Sequence, residues 1–125
     1  MKTEDLHGTA LETWTPEEVK AGIDESRIVL IDVRTPYEYG FEHIPGALLF
    51  PMSSFEASAL PDQGSKRLVF HCGSGIRSHA IAERCASAGI QPLAHMEGGL
   101  AGWKAAKLPY MAINPTTGAM SVKQN

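Results

Sequence analysis

An α/β fold, with a parallel sheet covered by helices on both faces, is predicted by three features of this 125-residue sequence. Apolar runs rich in Val, Ile and Leu carry almost no polar alternation, the pattern of strands buried on both faces. Helix-start signals fall between these runs, and such alternation implies right-handed crossovers between parallel strands. The length suits one domain, and a second core would not fit.

Thr15-Pro16-Glu17-Glu18 is a capping box with Pro at the first helical position, so a short helix runs towards Gly22. Arg27-Ile-Val-Leu-Ile-Asp-Val33 is a buried strand, and Thr35-Pro36-Tyr37-Glu38 repeats the capping box ahead of a brief helix near Tyr39. Ala47-Leu-Leu-Phe50 is a second strand stopped by Pro51; Ser53 caps a further short helix before the turn at Pro61-Asp62-Gln63-Gly64. Arg67-Leu-Val-Phe-His71 is a third strand, followed at once by a glycine-rich loop. The next helix is expected from Ser78 to Ala88, with Ile81, Cys85 and Ala88 on one stripe and Gly89 as its stop. Pro92-Leu-Ala-His-Met96 is a fourth strand, Gly98-Gly99 a turn, and Ala101 to Lys107 a last short helix. The folded domain is expected over 10–112, with flexible termini at 1–9 and 115–125.

Eleven Lys and Arg against fourteen Asp and Glu give a net charge of -3, which argues against a nucleic-acid backbone reader and a polybasic membrane surface. The longest apolar stretch, Gly46 to Met52, is too short to span a bilayer, and the acidic start MKTEDLHG contains no apolar signal segment. Two cysteines form neither a disulfide framework nor a zinc quartet, so a reducing, cytoplasmic setting without metal is expected.

In sheets of this class, ligands bind beyond the carboxyl ends of the strands. His71-Cys72-Gly73-Ser74-Gly75-Ile76-Arg77-Ser78 lies at such an end. Its glycines let successive N–H groups turn inward as an anion nest; the following helix adds its positive end, and Arg77 adds a full charge. All three favour thiolate over thiol at Cys72, and a nucleophile beside an anion cradle is a catalytic design. His71 reads as a strand-end residue rather than a general base.

The loop C-G-S-G-I-R-S resembles the active-site loop of single-domain rhodaneses, with their C-x-x-G-x-R-S pattern. Upstream, Asp32-Val33-Arg34, Glu38-Tyr39 and His43-Ile44-Pro45-Gly46-Ala47 resemble the family's second signature; downstream, Glu97-Gly98-Gly99 with Trp103 resembles its closing segment. The resemblance runs from about Thr13 to Tyr110. It implies a three-layer α/β/α sandwich around a five-stranded parallel sheet of order 3-2-4-5-1, whose first strand would be Ala10–Trp14. It also implies that Cys72 takes a sulfane sulfur from a donor such as thiosulfate and passes it to a thiophile such as cyanide or a thiol. The N–H groups of Gly73, Ser74, Gly75, Ile76, Arg77 and Ser78 would hold the persulfide's charge, while Arg77 would hold the donor's sulfonate or steady the loop. The chemistry needs no metal and no organic cofactor. Small-molecule donor and acceptor are the implied partners, a sulfur-acceptor protein is a further candidate, and Ser74 and Ile76 stand where some relatives carry charge.

A non-catalytic binding or sulfur-carrier module of the same fold is one alternative; a phosphatase or arsenate reductase is another. The phosphatase loop also begins His-Cys, but four residues, Gly73 to Ile76, separate Cys72 from Arg77 here, one fewer than that loop has. A tighter ring of N–H groups suits a sulfur atom better than a tetrahedral phosphate. Cys85 reads as a packed core thiol rather than a resolving partner. Asp32 and Arg34 read as an internal ion pair or loop brace, Glu38 as a helix cap, His43 as packing before Gly46 and His79 as solvated. His7 and His95 are too scattered to suggest a metal site. Phe41, Phe50 and Met52 are candidate rim residues.

Overall fold

The computed structural model describes residues 1–124. Strands β1 (Lys2–Leu6), β2 (Thr9–Trp14), β3 (Ile28–Asp32), β5 (Leu48–Leu49), β6 (Arg67–His71) and β7 (Leu93–Met96) form one six-stranded sheet ordered β1-β2-β7-β6-β3-β5. β4 (Glu42–His43), β8 (Tyr110–Ile113) and β9 (Met120–Lys123) form a small antiparallel sheet. The helices are α1 (Pro16–Asp24), α2 (Pro36–Phe41), α3 (Ile76–Ser87) and α4 (Gly99–Ala105), with single 3-10 turns at Met52–Ser54 and Ala57–Ala59.

Period-two alternation splits the core into two layers. Leu30, Val69, Ala94 and Met96 face one side with Val19 of α1 and Leu100 and Trp103 of α4. Ile31, Leu68, Phe70 and Leu93 face the other with Ile81, Ala82 and Cys85 of α3. Both capping boxes form: Thr15 Oγ1 accepts from Glu18 N and Thr35 Oγ1 from Glu38 N, at 3.1 Å each.

The expected all-parallel five-stranded sheet is corrected to a mixed sheet of six. β1 adds antiparallel to β2 through a tight turn at His7-Gly8, a pairing that a short polar strand does not advertise. The remaining five are parallel and, numbered among themselves, lie in the order 3-2-4-5-1. β1 and β9 also occupy segments expected to be flexible; Asn125, the last of those residues, lies outside the described ones.

Both helices nearest the loop start two residues earlier than expected, at Ile76 and Gly99. Their N-caps, Gly75 and Gly98, adopt left-handed backbone (φ 104° and 71°) and make no side-chain capping bond, so the usual Ser/Thr/Asp start signal is absent. Ala88 is exposed at the α3 C-cap, and the buried stripe is instead Ser78, Ile81, Ala82 and Cys85. No helix among the described residues is long and apolar enough to cross a membrane.

Candidate active site

β6 ends at His71, and the chain turns through Cys72–Gly75 into α3 at the carboxyl edge of the sheet. Cys72 is fully buried beneath its own loop. Its Sγ accepts the Gly75 N–H at 3.1 Å and the Ser78 N–H at 3.4 Å. Burial opposes ionisation, but the N–H groups of Ser78, Ser74 and Gly75 and the Ser78 hydroxyl outweigh it, and the thiol pKa falls below its ordinary value.

The inward N–H groups have an outward counterpart. Cys72 O accepts from Leu100 N at 2.8 Å and Gly73 O from Ala101 N at 3.1 Å, so the first turn of α4 takes up carbonyls that the loop turns away from the sulfur. This approach of backbone to backbone requires Gly99, whose φ is +56°. A Cβ there would stand 2.6 Å from Ser74 N and closer still to Cys72 O and Gly73 C. In the sequence Gly98-Gly99 reads as a turn; no local pattern marks Gly99 as the point of closest approach to a loop far upstream.

Arg77 lies over Gly73, its Nη2 3.3 Å from where a Gly73 Cβ would stand. It donates to Glu38 from Nη1 at 2.8 Å and Nη2 at 3.0 Å, a forked pair joining α3 to α2. Arg77 holds the Glu38 carboxyl down to about 2, more than offsetting burial, with the Thr35 N–H adding to the effect. Glu38 therefore caps its helix, as expected, and also anchors Arg77. Two cavities open beside the pair: one of about 460 Å³ bordered by Arg34, Glu38, Gly73 and Leu100, and one of about 270 Å³ bordered by Thr35, Met52 and Arg77. Phe41 and Ile76 are exposed, whereas Phe50 and Met52 pack partly into the core.

Asp32 and Arg34 form the expected buried pair, with Nε–Oδ1 at 3.0 Å and Nη2–Oδ2 at 2.8 Å. Arg34 Nη2 also donates to Glu42 O at 2.8 Å, tying the segment after β3 to β4. Burial opposes ionisation of Asp32, but His71 and Arg34 prevail and hold its carboxyl well below the usual range. His71 directs Nδ1 at Cys72 O (3.1 Å), while its Nε2 faces Asp32 Oδ2 at 3.4 Å. His43 stacks on Tyr39 with ring centroids 4.0 Å apart. His79 is not simply solvated: its ring bridges Glu4 at 2.6 Å and Glu83 at 3.1 Å.

Cys85 is fully buried on α3, and burial pushes its thiol up to about 11. The two cysteines therefore differ in ionisation and in setting, Cys72 in a loop and Cys85 on a packed helix face. Limiting iodoacetamide at neutral pH is expected to modify Cys72 first and leave Cys85 nearly untouched. Peptide mapping reads the ratio; equal or reversed labelling would contradict these environments. Among the described residues, no cluster of His, Cys, Asp and Glu could hold a metal ion.

Comparison with known proteins identifies a match to the rhodanese-like domain model over residues 15–106. The chain is 37% identical over 97 residues to the Synechocystis uncharacterized protein slr1261, covering 78% of this chain and 54% of that one. It is 33% identical over 106 residues to the Mycobacterium tuberculosis probable adenylyltransferase/sulfurtransferase MoeZ, covering 81% of this chain but 26% of that one. The chain thus spans about half and about a quarter of these relatives' lengths. A Staphylococcus aureus rhodanese-like domain protein superimposes with a TM-score of 0.63 at 30% identity, over 74% of this chain and 90% of that one. A Rhodopseudomonas palustris protein of unknown function, described as a possible tyrosine phosphatase, superimposes at 0.64 and 28% identity, over 77% and 81%.

Proposed function

The chain belongs to the rhodanese-like domain family, and from that premise we propose that it moves a sulfane sulfur from a donor such as thiosulfate to a thiophilic acceptor, cyanide or a thiol, through a persulfide on Cys72. One observation carries this reading: Cys72 Sγ already receives two backbone N–H groups, from Gly75 and Ser78, while α4 takes the loop's outward carbonyls. The Cys72 thiolate attacks the outer sulfur of thiosulfate. A new S–S bond forms as the donor's S–S bond breaks, and its electron pair leaves on sulfite. Cyanide then attacks the terminal persulfide sulfur, thiocyanate departs, and the thiolate returns. Neither step transfers a proton, so no general base is needed. Because Cys72 is buried at rest, loading requires a local opening of its loop.

The test is intact-mass analysis after exposure to thiosulfate or polysulfide, with peptide mapping. One added sulfur atom on the Cys72 peptide, removed by cyanide, is expected; no mass gain with any donor would favour a non-catalytic binding module. The Rhodopseudomonas neighbour favours a phosphatase as the second reading. Hydrolysis of an aryl phosphate without persulfide formation would establish it, against the short Cys72–Arg77 spacing.

Arg77, steadied by Glu38, is the candidate contact for the donor's sulfonate. Arg77→Ala is expected to slow thiosulfate loading about ten- to a hundredfold, the loss of one charge-assisted contact. Unloading to cyanide carries no sulfonate and should change far less. Equal slowing of both half-reactions in stopped flow would assign Arg77 to bracing the loop instead.

A further inference from the structure

Behind the active loop a line of polar side chains runs from Ser78, beside the Cys72 sulfur, through His95 to Thr13. Ser78 Oγ stands 2.9 Å from His95 Nδ1 and 3.2 Å from Gly75 O. His95 Nε2 stands 3.2 Å from Thr13 Oγ1. Ser78 is fully buried on α3 and His95 is buried on β7; Thr13 of β2 is the register partner of His95, so strand pairing sets that contact. A carbonyl oxygen only accepts, so the Ser78 hydroxyl turns its proton to the loop, where Gly75 O and the Cys72 sulfur share it, and Ser78 Oγ is left as an acceptor towards His95. That assignment puts the His95 proton on Nδ1 and leaves Nε2 to accept from Thr13. Gly75 is also the residue whose N–H, in the preceding peptide plane, points at Cys72 Sγ.

We propose that His95 is a positioning residue for the Cys72 nucleophile: by donating its Nδ1–H to Ser78 Oγ, it reserves the single Ser78 proton for the Gly75 carbonyl and the Cys72 sulfur. With the opposite tautomer, Ser78 would give its proton to His95 and turn lone pairs towards the thiolate. The environment favours the neutral ring that the role requires. Burial, then the neighbouring His79, lower the His95 pKa, against smaller opposing effects from Glu4 and Glu97. The His79 ring meets His95 edge-on at 5.6 Å and is itself held between Glu4 of β1 and Glu83 of α3. The inference rests on Cys72 being the nucleophile and deepens that reading by naming what aims the donors at its sulfur.

The experiment is the pH profile of Cys72 alkylation by iodoacetamide in the full chain and in His95→Asn, His95→Gln, Ser78→Ala and the Ser78→Ala/His95→Gln double variant. Asn offers an N–H where Nδ1 stands; Gln offers its polar end nearer Nε2, towards Thr13. His95→Gln is expected to raise the midpoint by about one pH unit, roughly tenfold in thiolate fraction. His95→Asn should move it by less than half of that, and the double variant no further than Ser78→Ala alone. An unchanged midpoint in His95→Gln, equal shifts in Asn and Gln, or additive shifts in the double variant would overturn the proposal. Where the His95 variants fail to fold, ¹⁵N NMR of the native His95 ring decides: a protonated Nδ1 supports the assignment and a protonated Nε2 overturns it. Alkylation needs no sulfur donor, so absence of a persulfide in the native protein would reject the transfer reading while leaving these outcomes legible.

Discussion

Cys72→Ser is expected to abolish both persulfide formation and thiosulfate-to-cyanide transfer, the largest effect any single substitution should have. Serine is nearly isosteric, so the loop's N–H groups and the α4 contacts should persist and the protein should fold. The nucleophile nevertheless disappears. A serine hydroxyl stays protonated at neutral pH and forms no stable bond to a sulfane sulfur, whereas the Cys72 thiol is lowered by the Ser78, Ser74 and Gly75 N–H groups. Cys85→Ala is the matching control and should retain transfer, since Cys85 lies in the core on α3 with its thiol raised to about 11. Sulfite release and intact mass measure both variants. Transfer surviving in Cys72→Ser, or vanishing only in Cys85→Ala, would rule out the proposed nucleophile.

Gly99→Ala should be the most damaging substitution that touches no reacting atom. The added Cβ would overlap the backbone at Cys72, Gly73 and Ser74, and neither segment can yield as a flexible side chain would. Alanine at positive φ adds roughly 1–3 kcal/mol of strain, and overpacking adds a further 1–3 kcal/mol or so. A loss of roughly 2–6 kcal/mol is expected, with loss of sulfur loading as Leu100 N and Ala101 N lift away from the loop carbonyls. Gly40→Ala is the control: nothing lies within 4 Å of its Cβ position, and helix propensity favours alanine there. Denaturant midpoints and persulfide yield read both variants. Full stability and full loading in Gly99→Ala would show that α4 does not clamp the loop.

Much of the site was legible because its signals are contiguous. The two capping boxes close within four residues, so Thr15 and Thr35 announce their helices whatever surrounds them. Cys72, its glycines and Arg77 share one loop, and Asp32 and Arg34 are two residues apart, so their pairing needs little more than a strand end. The helix starts at Ile76 and Gly99 are not legible in the sequence because their left-handed glycine caps, Gly75 and Gly98, carry no side-chain signal. β1 and β9 are not legible in the sequence because edge strands with four exposed residues each lack the apolar pattern that marks central ones.

The sequence by itself determined the fold class, the candidate nucleophile and the glycine-rich loop around it, because local hydrogen bonding and the apolar period act over a few neighbouring residues. Only the tertiary structure decided what aims that loop. Leu100 and Ala101 draw its carbonyls outward, Glu38 anchors Arg77 from another helix, and Thr13, Ser78 and His95 meet from β2, α3 and β7. Those contacts join residues distant in the chain, through strand register and close backbone approach, and neither is encoded in any short run of residues.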